Sequence, residues 1–311
     1  MTATRKTPAT RDTPSDETSR TVSGLSRRVV LTAGIGAAGV LGTGTTAYAA
    51  HEAAERLKVT SYRLTPPGWP AGFKVSIAAI ADIHAAGPNM GRDRLREVVD
   101  TANGLGCDLT LLLGDYVGHH PFVTERVPNA VWASELARLT APLGVYAIYG
   151  NHDWWHGIEG IRAAFAGIDI PVLENDAVLL GKSGRRFWLA GLGCTIAYRL
   201  GHGRFRGVDD LPGTLAKIAT DDPLLLMVHE PDAFVGVPSR VSLTLAGHTH
   251  GGQIRVPGLW SHWVPSAYGA RFAYGHIVEN SRHMVVSGGL GVSAVPLRLG
   301  VPPEIVRIDL G

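Results

Sequence analysis

The chain of 311 residues contains only two cysteines, Cys107 and Cys194. Two thiols cannot form a disulfide framework, so the fold is not expected to be held together by disulfides. One disulfide between Cys107 and Cys194 is the alternative if the protein is located outside the cytoplasm. The favoured interpretation is that both are small buried residues.

The chain also lacks a surplus of charge. Charged residues make up 18% of it, and the formal net charge is +2. Residues 1–49 contain six basic and three acidic side chains, a net of +3, so the rest of the chain carries −1. Nucleic-acid binding depends on a basic excess, so no such surface is expected. A hydrophobic content of 45% indicates a globular protein.

The N-terminal region lacks the apolar periodicity of a core helix. Residues 1–25 are rich in Thr, Ser, Pro and charge, which predicts disorder. Ser26-Arg27-Arg28-Val29-Val30-Leu31-Thr32 and the weakly apolar run after it resemble a twin-arginine export signal. Ala47-Tyr48-Ala49 fits a cleavage site directly after Ala49, and cleavage is favoured over the rival interpretation, an uncleaved membrane anchor.

This reading divides the chain into two parts. Residues 1–49 are predicted to be a disordered region followed by the export signal, and residues 50–311 a single domain. The implied partner is the twin-arginine export machinery, and the implied location is the periplasm or cell envelope.

Strand and helix patterns alternate along the predicted domain, and no low-complexity linker or internal repeat divides it. This alternation, followed by several short strands over residues 271–310, predicts the α/β class, with layered sheets covered by helices. The predicted strands span residues 57–65, 74–81, 109–113, 144–149, 185–192, 224–228 and 242–246. The predicted helices span residues 92–105, 129–140, 158–165 and 208–218.

Five of these strands run directly into polar side chains that can bind metals. The strand ends are Asp82-Ile83-His84, Gly114-Asp115, Gly150-Asn151-His152-Asp153, His229-Glu230 and Gly247-His248-Thr249-His250. Sites in open α/β sheets form at the carboxyl ends of strands, so we expect these side chains to share one pocket.

The composition of this set indicates two metal ions. Imidazoles and carboxylates without thiolates suit first-row divalent metals, and seven candidate ligands are too many for one tetrahedral zinc. They suit two ions ~3.5–4 Å apart that share a carboxylate, the arrangement used for in-line displacement at phosphorus. Asp115, the lone carboxylate at its strand end, is the predicted bridge.

In this order, the five motifs resemble those of the calcineurin-like metallophosphoesterases, in particular the YkuE/YaeI-type bacterial branch. The likeness covers about residues 57–311 and is carried by ADIHAAGPNMG (81–91), GDYVG (114–118), GNHDWWHG (150–157), HEPDAF (229–234), AGHTHGGQIRVPG (246–258) and GLGVSAVPLRLGVPPEI (289–305). The resemblance implies a four-layered α/β/β/α sandwich of two mixed sheets. It also implies which ion each ligand binds. Asp82, His84 and His250 would bind the first ion, and Asn151, His229 and His248 would bind the second. Asp115 would bind both.

The resemblance further implies phosphoester hydrolysis, with diesters favoured over monoesters, by a metal-bridging hydroxide. His152 is expected to protonate the leaving oxygen or to hydrogen-bond the phosphoryl group, and Asp153 to orient His152. His248 and His250, one residue apart, would both face the pocket if the chain there is extended. The two divalent ions could be Mn, Zn, Fe or Co.

Two functional alternatives remain. One is a UDP-2,3-diacylglucosamine-type pyrophosphatase of lipid A synthesis from the same branch, although an exported enzyme would not meet that cytoplasmic nucleotide. The other is a noncatalytic metal-binding scaffold, which is disfavoured because His152 and all seven ligands are present.

An aromatic segment, residues 259–276, follows the last metal motif. It is predicted to pack among the late strands. The alternative is a wall for a lipid- or cell-envelope-linked substrate, or contact with a membrane surface.

Overall fold

The computed structural model describes residues 42–255 and 264–311. The predicted disordered region, the twin-arginine pair Arg27-Arg28, and Trp260 and Trp263 of the aromatic segment lie outside the described residues. From Thr45 to Gly311 the chain forms one compact unit.

Fifteen strands and six α-helices are described. The strands are β1 (Lys58–Leu64), β2 (Val75–Ile80), β3 (Ala86–Gly87), β4 (Leu109–Leu112), β5 (Glu125–Arg126), β6 (Val145–Ala147), β7 (Asp176–Lys182), β8 (Arg185–Gly191), β9 (Tyr198–Gly201), β10 (Arg204–Arg206), β11 (Leu224–Met227), β12 (Leu243–Ala246), β13 (Gly275–Glu279), β14 (Arg282–Val286) and β15 (Glu304–Leu310). The helices are α1 (residues 42–55), α2 (Arg92–Gly104), α3 (Asn129–Leu136), α4 (Asn151–Trp155), α5 (Ile158–Ala166) and α6 (Leu211–Ala216), with 3-10 helices η1 (Pro231–Gly236), η2 (His250–Gly252) and η3 (Gly269–Phe272).

Two mixed sheets form the centre of the domain. The first has the order β1-β15-β2-β4-β6, and the second β13-β14-β12-β11-β8-β7. Strands β2, β4 and β6 run parallel in the first sheet, as do β8, β11, β12 and β14 in the second. Antiparallel pairs join β15 to β2, β13 to β14, and β7 to β8.

Apolar side chains on alternating strand positions bury the two sheets against each other. Ile77 and Leu111 of the first sheet lie in one buried cluster with Phe187, Leu189 and Met227 of the second. Successive strand residues point to opposite faces, so the intervening residues form two further cores on the outer faces.

The outer faces are covered by helices. On the first sheet, α2, α3 and α5 contribute Leu95, Trp132 and Phe165 to one buried cluster. On the second sheet, η1 and η3 contribute Phe234 and Phe272 to another. The predicted four-layered α/β/β/α sandwich is confirmed, and Phe272 of the aromatic segment packs in its core.

The N-terminal helix α1 packs on the domain through the residues around the predicted cleavage site. Ala49 is 4% exposed, and Glu52 and Ala53 are also buried. The backbone N–H of Arg298 donates to the Ala49 carbonyl at 3.0 Å. No helix within residues 42–255 and 264–311 is long and apolar enough to cross a membrane.

The predicted elements occur close to the expected positions, but the sequence patterns did not predict every element. Sequence patterns missed the edge strand β7 and the β9–β10 hairpin, residues 198–206. Both strands of this hairpin are exposed throughout. Because neither face is buried, their sequence has no alternation of apolar and polar residues from which a strand could be predicted. Cys107 and Cys194 are buried and unpaired.

Candidate metal centre

The five strand ends converge as expected. Strands β2, β4 and β6 present their carboxyl ends at one edge of the first sheet, and β11 and β12 present theirs at the facing edge of the second. The segments that follow these strands carry all seven predicted ligands, none of which is more than 9% exposed: Asp82, His84, Asp115, Asn151, His229, His248 and His250.

The first candidate site consists of Asp82, His84 and His250, with one donor atom from each within 4.8 Å of the others. Nε2 of His84 lies 3.1 Å from Nε2 of His250, and Nε2 of His250 lies 3.7 Å from Oδ1 of Asp82. Three donor atoms thus face one another in a buried place, which is the arrangement that a cation requires.

The second candidate site consists of Asp115, His229 and His248, by the same criterion. Asn151 adds an oxygen to it, because its Oδ1 lies 3.1 Å from Nε2 of His229. The donor set is again nitrogen and oxygen without sulfur, which fits Mn, Zn, Fe or Co and leaves the metal's identity open.

Asp115 stands between the two candidate sites. Its Oδ2 lies 3.5 Å from Nε2 of His84 and 3.2 Å from Nε2 of His229. Its Oδ1 accepts a hydrogen bond from the backbone N–H of His152 at 2.7 Å. One oxygen therefore faces both sites while the other is fixed by the backbone, as a bridging carboxylate needs.

Backbone carbonyls fix two of the ligand imidazoles. Nδ1 of His229 donates to the Leu113 carbonyl at 2.7 Å, and Nδ1 of His84 donates to the Val117 carbonyl at 3.2 Å. Each contact places a proton on Nδ1, so Nε2 is the atom that would bind a cation.

His250 is held differently. Its Nδ1 lies 3.2 Å from a guanidinium nitrogen of Arg298, a fully buried residue that also donates to the Gly291, Gly288 and Val301 carbonyls. A guanidinium only donates, so Nδ1 accepts here. The proton of neutral His250 is therefore on Nε2. To bind a cation through Nε2, His250 must lose either this proton or its contact with Arg298.

Five of the seven ligands have a left-handed backbone, which non-glycine residues rarely adopt. The φ angles are 51° at Asp82, 45° at His84, 59° at Asp115, 72° at His248 and 52° at His250. The expectation of an extended chain at His248 and His250 is therefore wrong. Such strained conformations concentrate at functional sites, where surrounding contacts maintain them.

Close backbone approach explains two glycines beside the ligands. A Cβ at Gly150 would clash with Oδ1 of Asp115, and a Cβ at Gly247 would lie 2.7 Å from Oδ2 of Asp82. Either side chain would displace a ligand carboxylate, so glycine is needed at both positions.

Burial and charge set the protonation of the site. Burial raises the pKa of Asp82 to about 7 and lowers the pKa of His84 to about 4. Burial opposes charge on Asp115 and His229 as well, but their mutual attraction outweighs it. The pKa of Asp115 lies well below its usual range, and that of His229 well above. A cation bound at this pair must displace the proton of His229.

The carboxylate of Asp153 contacts the backbone around Asp115. Its carboxylate accepts hydrogen bonds from the backbone N–H groups of Asp115, Tyr116 and Gly150, at 2.8–2.9 Å. Nδ1 of His152 is buried and has no hydrogen-bond partner within the described parts of the chain. Asp153 therefore holds the loop that carries Asp115, and no described hydrogen bond joins its carboxylate to the imidazole of His152.

His152 lies beside the first candidate site and is only partly buried. Its ring centroid is 4.7 Å from that of His84, in an edge-on arrangement. Burial lowers its pKa to about 3, so the imidazole is neutral at neutral pH and retains one N–H donor.

Sequence reasoning did not identify Arg298 as a neighbour of the site, although it lies in the quoted segment 289–305. It also assigns no role to Glu230. Glu230 is buried and accepts hydrogen bonds from Sγ of Cys194 and the backbone N–H of Thr195. No local pattern signals either contact, because both partners are distant in sequence.

The fold and the two adjacent donor clusters define a metalloprotein with a candidate dinuclear centre between two sheets. A family model for calcineurin-like phosphoesterases matches residues 75–252. The chain belongs to the calcineurin-like phosphoesterase family, and it is a metal-dependent phosphoric ester hydrolase.

Curated relatives agree with this assignment. The chain is 31% identical to the uncharacterized metallophosphoesterase YkuE of Bacillus subtilis, covering 79% of this chain and 82% of YkuE. It is 29% identical to the phosphodiesterase YaeI of Escherichia coli, covering 78% of this chain and 89% of YaeI. A bovine relative, named a transmembrane protein with metallophosphoesterase domain, is 26% identical over 78% of this chain, but the chain covers only 54% of that longer protein.

We predict that divalent metal stabilises the protein more at pH 8 than at pH 6. Saturation at 100 times the dissociation constant contributes about 2.7 kcal/mol, and roughly 2–4 °C in Tm accompanies each kcal/mol for a domain of about this size. The pKa of Asp82 is raised above the value of 3.8 expected for an unfolded chain. Its contribution to stability without metal is therefore full below pH 3.8 and lost as the pH rises through about 7, and a bound cation reverses this loss.

Thermal unfolding with and without Mn²⁺ at the two pH values measures this effect. Excess EDTA should return each melting curve to its metal-free position. An equal or larger shift at pH 6 would contradict the predicted proton–metal competition.

Proposed function

We propose that the protein is an exported phosphodiesterase that uses two divalent metal ions. The observation that carries this proposal is the position of Oδ2 of Asp115, 3.5 Å and 3.2 Å from the ligand nitrogens of His84 and His229. A carboxylate shared in this way suits two ions close enough to hold one phosphoryl group between them. The name of the relative YaeI supports diesters as the substrate class.

The protein's residues have three roles in this reaction. The seven ligands hold the ions, which when bound supply an activated water and neutralise charge on the phosphoryl oxygens. The backbone N–H of His152 and the carboxylate of Asp153 hold Asp115 in place. The imidazole of His152 donates an N–H to the phosphoryl group or to the leaving oxygen.

Hydrolysis of a substrate panel tests the activity. With Mn²⁺ added, the protein should hydrolyse bis(p-nitrophenyl) phosphate with a higher kcat/KM than p-nitrophenyl phosphate, and EDTA should stop both reactions. A metal-loaded, folded protein without turnover would support the noncatalytic scaffold instead. Release of UMP from UDP-2,3-diacylglucosamine with little diester hydrolysis would support the pyrophosphatase alternative.

For export, we propose that the twin-arginine-type segment directs translocation and stays attached to the domain. Cleavage after Ala49 would cut α1 within its packed part, where Ala49 is 4% exposed and its carbonyl accepts from Arg298. Twin-arginine export carries folded proteins, so this helix would already be docked when a peptidase met it. Signal peptidases bind the scissile segment extended, which a docked helix opposes.

Fractionation of the native host tests both parts of this proposal. Changing Arg27 and Arg28 to lysine should retain the protein in the cytoplasm, and the exported wild type should keep an N-terminus upstream of Thr45 by intact mass. Export that is insensitive to the double change would contradict export by the twin-arginine route. A mature chain that begins at Ala50 would contradict the proposal that the segment stays attached to the domain.

A further inference from the structure

An exposed hairpin stands beside the helix that carries His152. The β9–β10 hairpin is joined to α4 through Trp155, whose indole N–H donates to the Ile196 carbonyl at 3.0 Å. The ring of Trp155 lies 5.3 Å from the ring of His152. The hairpin therefore begins one side chain away from the residue expected to contact the phosphoryl or leaving group.

The two faces of the hairpin have different contacts. The register pairs Arg199 with Phe205 and Tyr198 with Arg206. The Arg199 guanidinium lies 3.6 Å from the centroid of the Trp155 ring, and the Phe205 ring stacks on the same indole at 5.8 Å. Arg206 lies over Tyr198 instead. Arg199 and Phe205 thus share the face that meets Trp155, and Arg206 is on the other face.

The charge of this hairpin is not neutralised by its surroundings in the described residues. Residues 196–207 contain three arginines and no acidic residue. None of the three lies within ion-pair distance of a described carboxylate, whereas the half-exposed Arg138 and Arg271 elsewhere both do. A guanidinium stacked on an indole keeps its N–H edges free, and these edges match a phosphate or carboxylate.

We propose that Arg199 binds a second anionic group on the substrate, a phosphate or carboxylate carried by the leaving alcohol. Trp155 orients the guanidinium, and Phe205 covers the part of the leaving group between the two anions. This inference rests on the proposed phosphodiesterase activity and narrows its substrates to diesters whose leaving group is itself charged.

A matched pair of ligands that differ by one charge tests the assignment. Phenyl 4-(2-carboxyethyl)phenyl phosphate and its methyl ester are each tested as competitive inhibitors of bis(p-nitrophenyl) phosphate hydrolysis. Their inhibition constants measure binding whether or not the enzyme hydrolyses them. For the wild type we expect the carboxylate to bind about 10–100-fold more tightly, the effect of one charge-assisted hydrogen bond. Arg199→Gln should bring the ratio of the two inhibition constants close to one.

Arg206→Gln is the matched control, because it removes the same charge from the same hairpin on the other face. It should keep most of the ratio, and added salt should lower the ratio in both wild type and control. Three results would overturn the assignment of Arg199 without affecting the proposed function. These are equal binding of the two ligands by active wild type, an unchanged ratio in Arg199→Gln, and an equal loss of the ratio in Arg206→Gln. A wild type inactive on bis(p-nitrophenyl) phosphate would overturn the proposed function and this inference with it.

Discussion

Asp115→Asn is expected to remove metal from both sites and to lower kcat/KM for bis(p-nitrophenyl) phosphate by at least about 10³-fold, since loss of one preorganised donor alone costs about 10²–10³. The asparagine has nearly the same shape and still accepts the hydrogen bond from the His152 N–H through an oxygen. It loses the negative charge that faces both His84 and His229. The effect should therefore come from metal loading.

Metal analysis of the purified variant, together with the diesterase assay, measures both effects. Asp93→Asn is the matched control, because the Asp93 side chain is 96% exposed on α2. It should retain the metal content and the activity of the wild type. Full metal occupancy in Asp115→Asn would disprove the bridging role.

His152→Ala is expected to lower kcat by about 10²–10⁴-fold without changing the metal content, the usual range for a positioned proton donor. The imidazole lies beside His84, but its Nδ1 has no hydrogen-bond partner among the described residues. Its loss therefore removes a donor to the substrate and leaves the ligand contacts in place. His51→Ala, at an exposed position on α1, serves as the control.

The dependence on the leaving group separates the two roles open to His152. If the imidazole assists the leaving oxygen, the loss should grow as the leaving alcohol becomes less acidic than nitrophenol. If it hydrogen-bonds the phosphoryl oxygens, the loss should be the same for every leaving group, and His152→Asn, which retains an N–H donor, should recover part of kcat. Metal loss in His152→Ala would instead make it a structural residue of the centre.

Local sequence patterns identify the metal ligands but not the residues that hold those ligands in position. The ligands follow apolar strands, and strand periodicity predicts where each strand ends, so the sequence alone predicts Asp82 and His229 as ligands. Asp153 also follows a strand, yet its carboxylate accepts from three backbone N–H groups near Asp115. Its residue type cannot tell a support for the loop from a partner for His152.

The supporting contacts span distances that no motif covers. Arg298 is 48 residues from His250 in the chain, and Glu230 is 36 residues from Cys194. The hairpin that places Arg199 on Trp155 is exposed on both strands, so it has no apolar alternation to indicate it. Such contacts exist only after the loops have packed.

The amino-acid sequence by itself determined the α/β class, the order of the motifs and the donor types, because strand periodicity and ligand chemistry are local properties. Tertiary structure alone decided how these donors meet. The pairing of two sheets brings Asp82 against the backbone N–H of His248, 166 residues away, at 2.8 Å. The left-handed backbone at five ligands arises in the same way, since only the packed surroundings can maintain conformations that the isolated residues avoid.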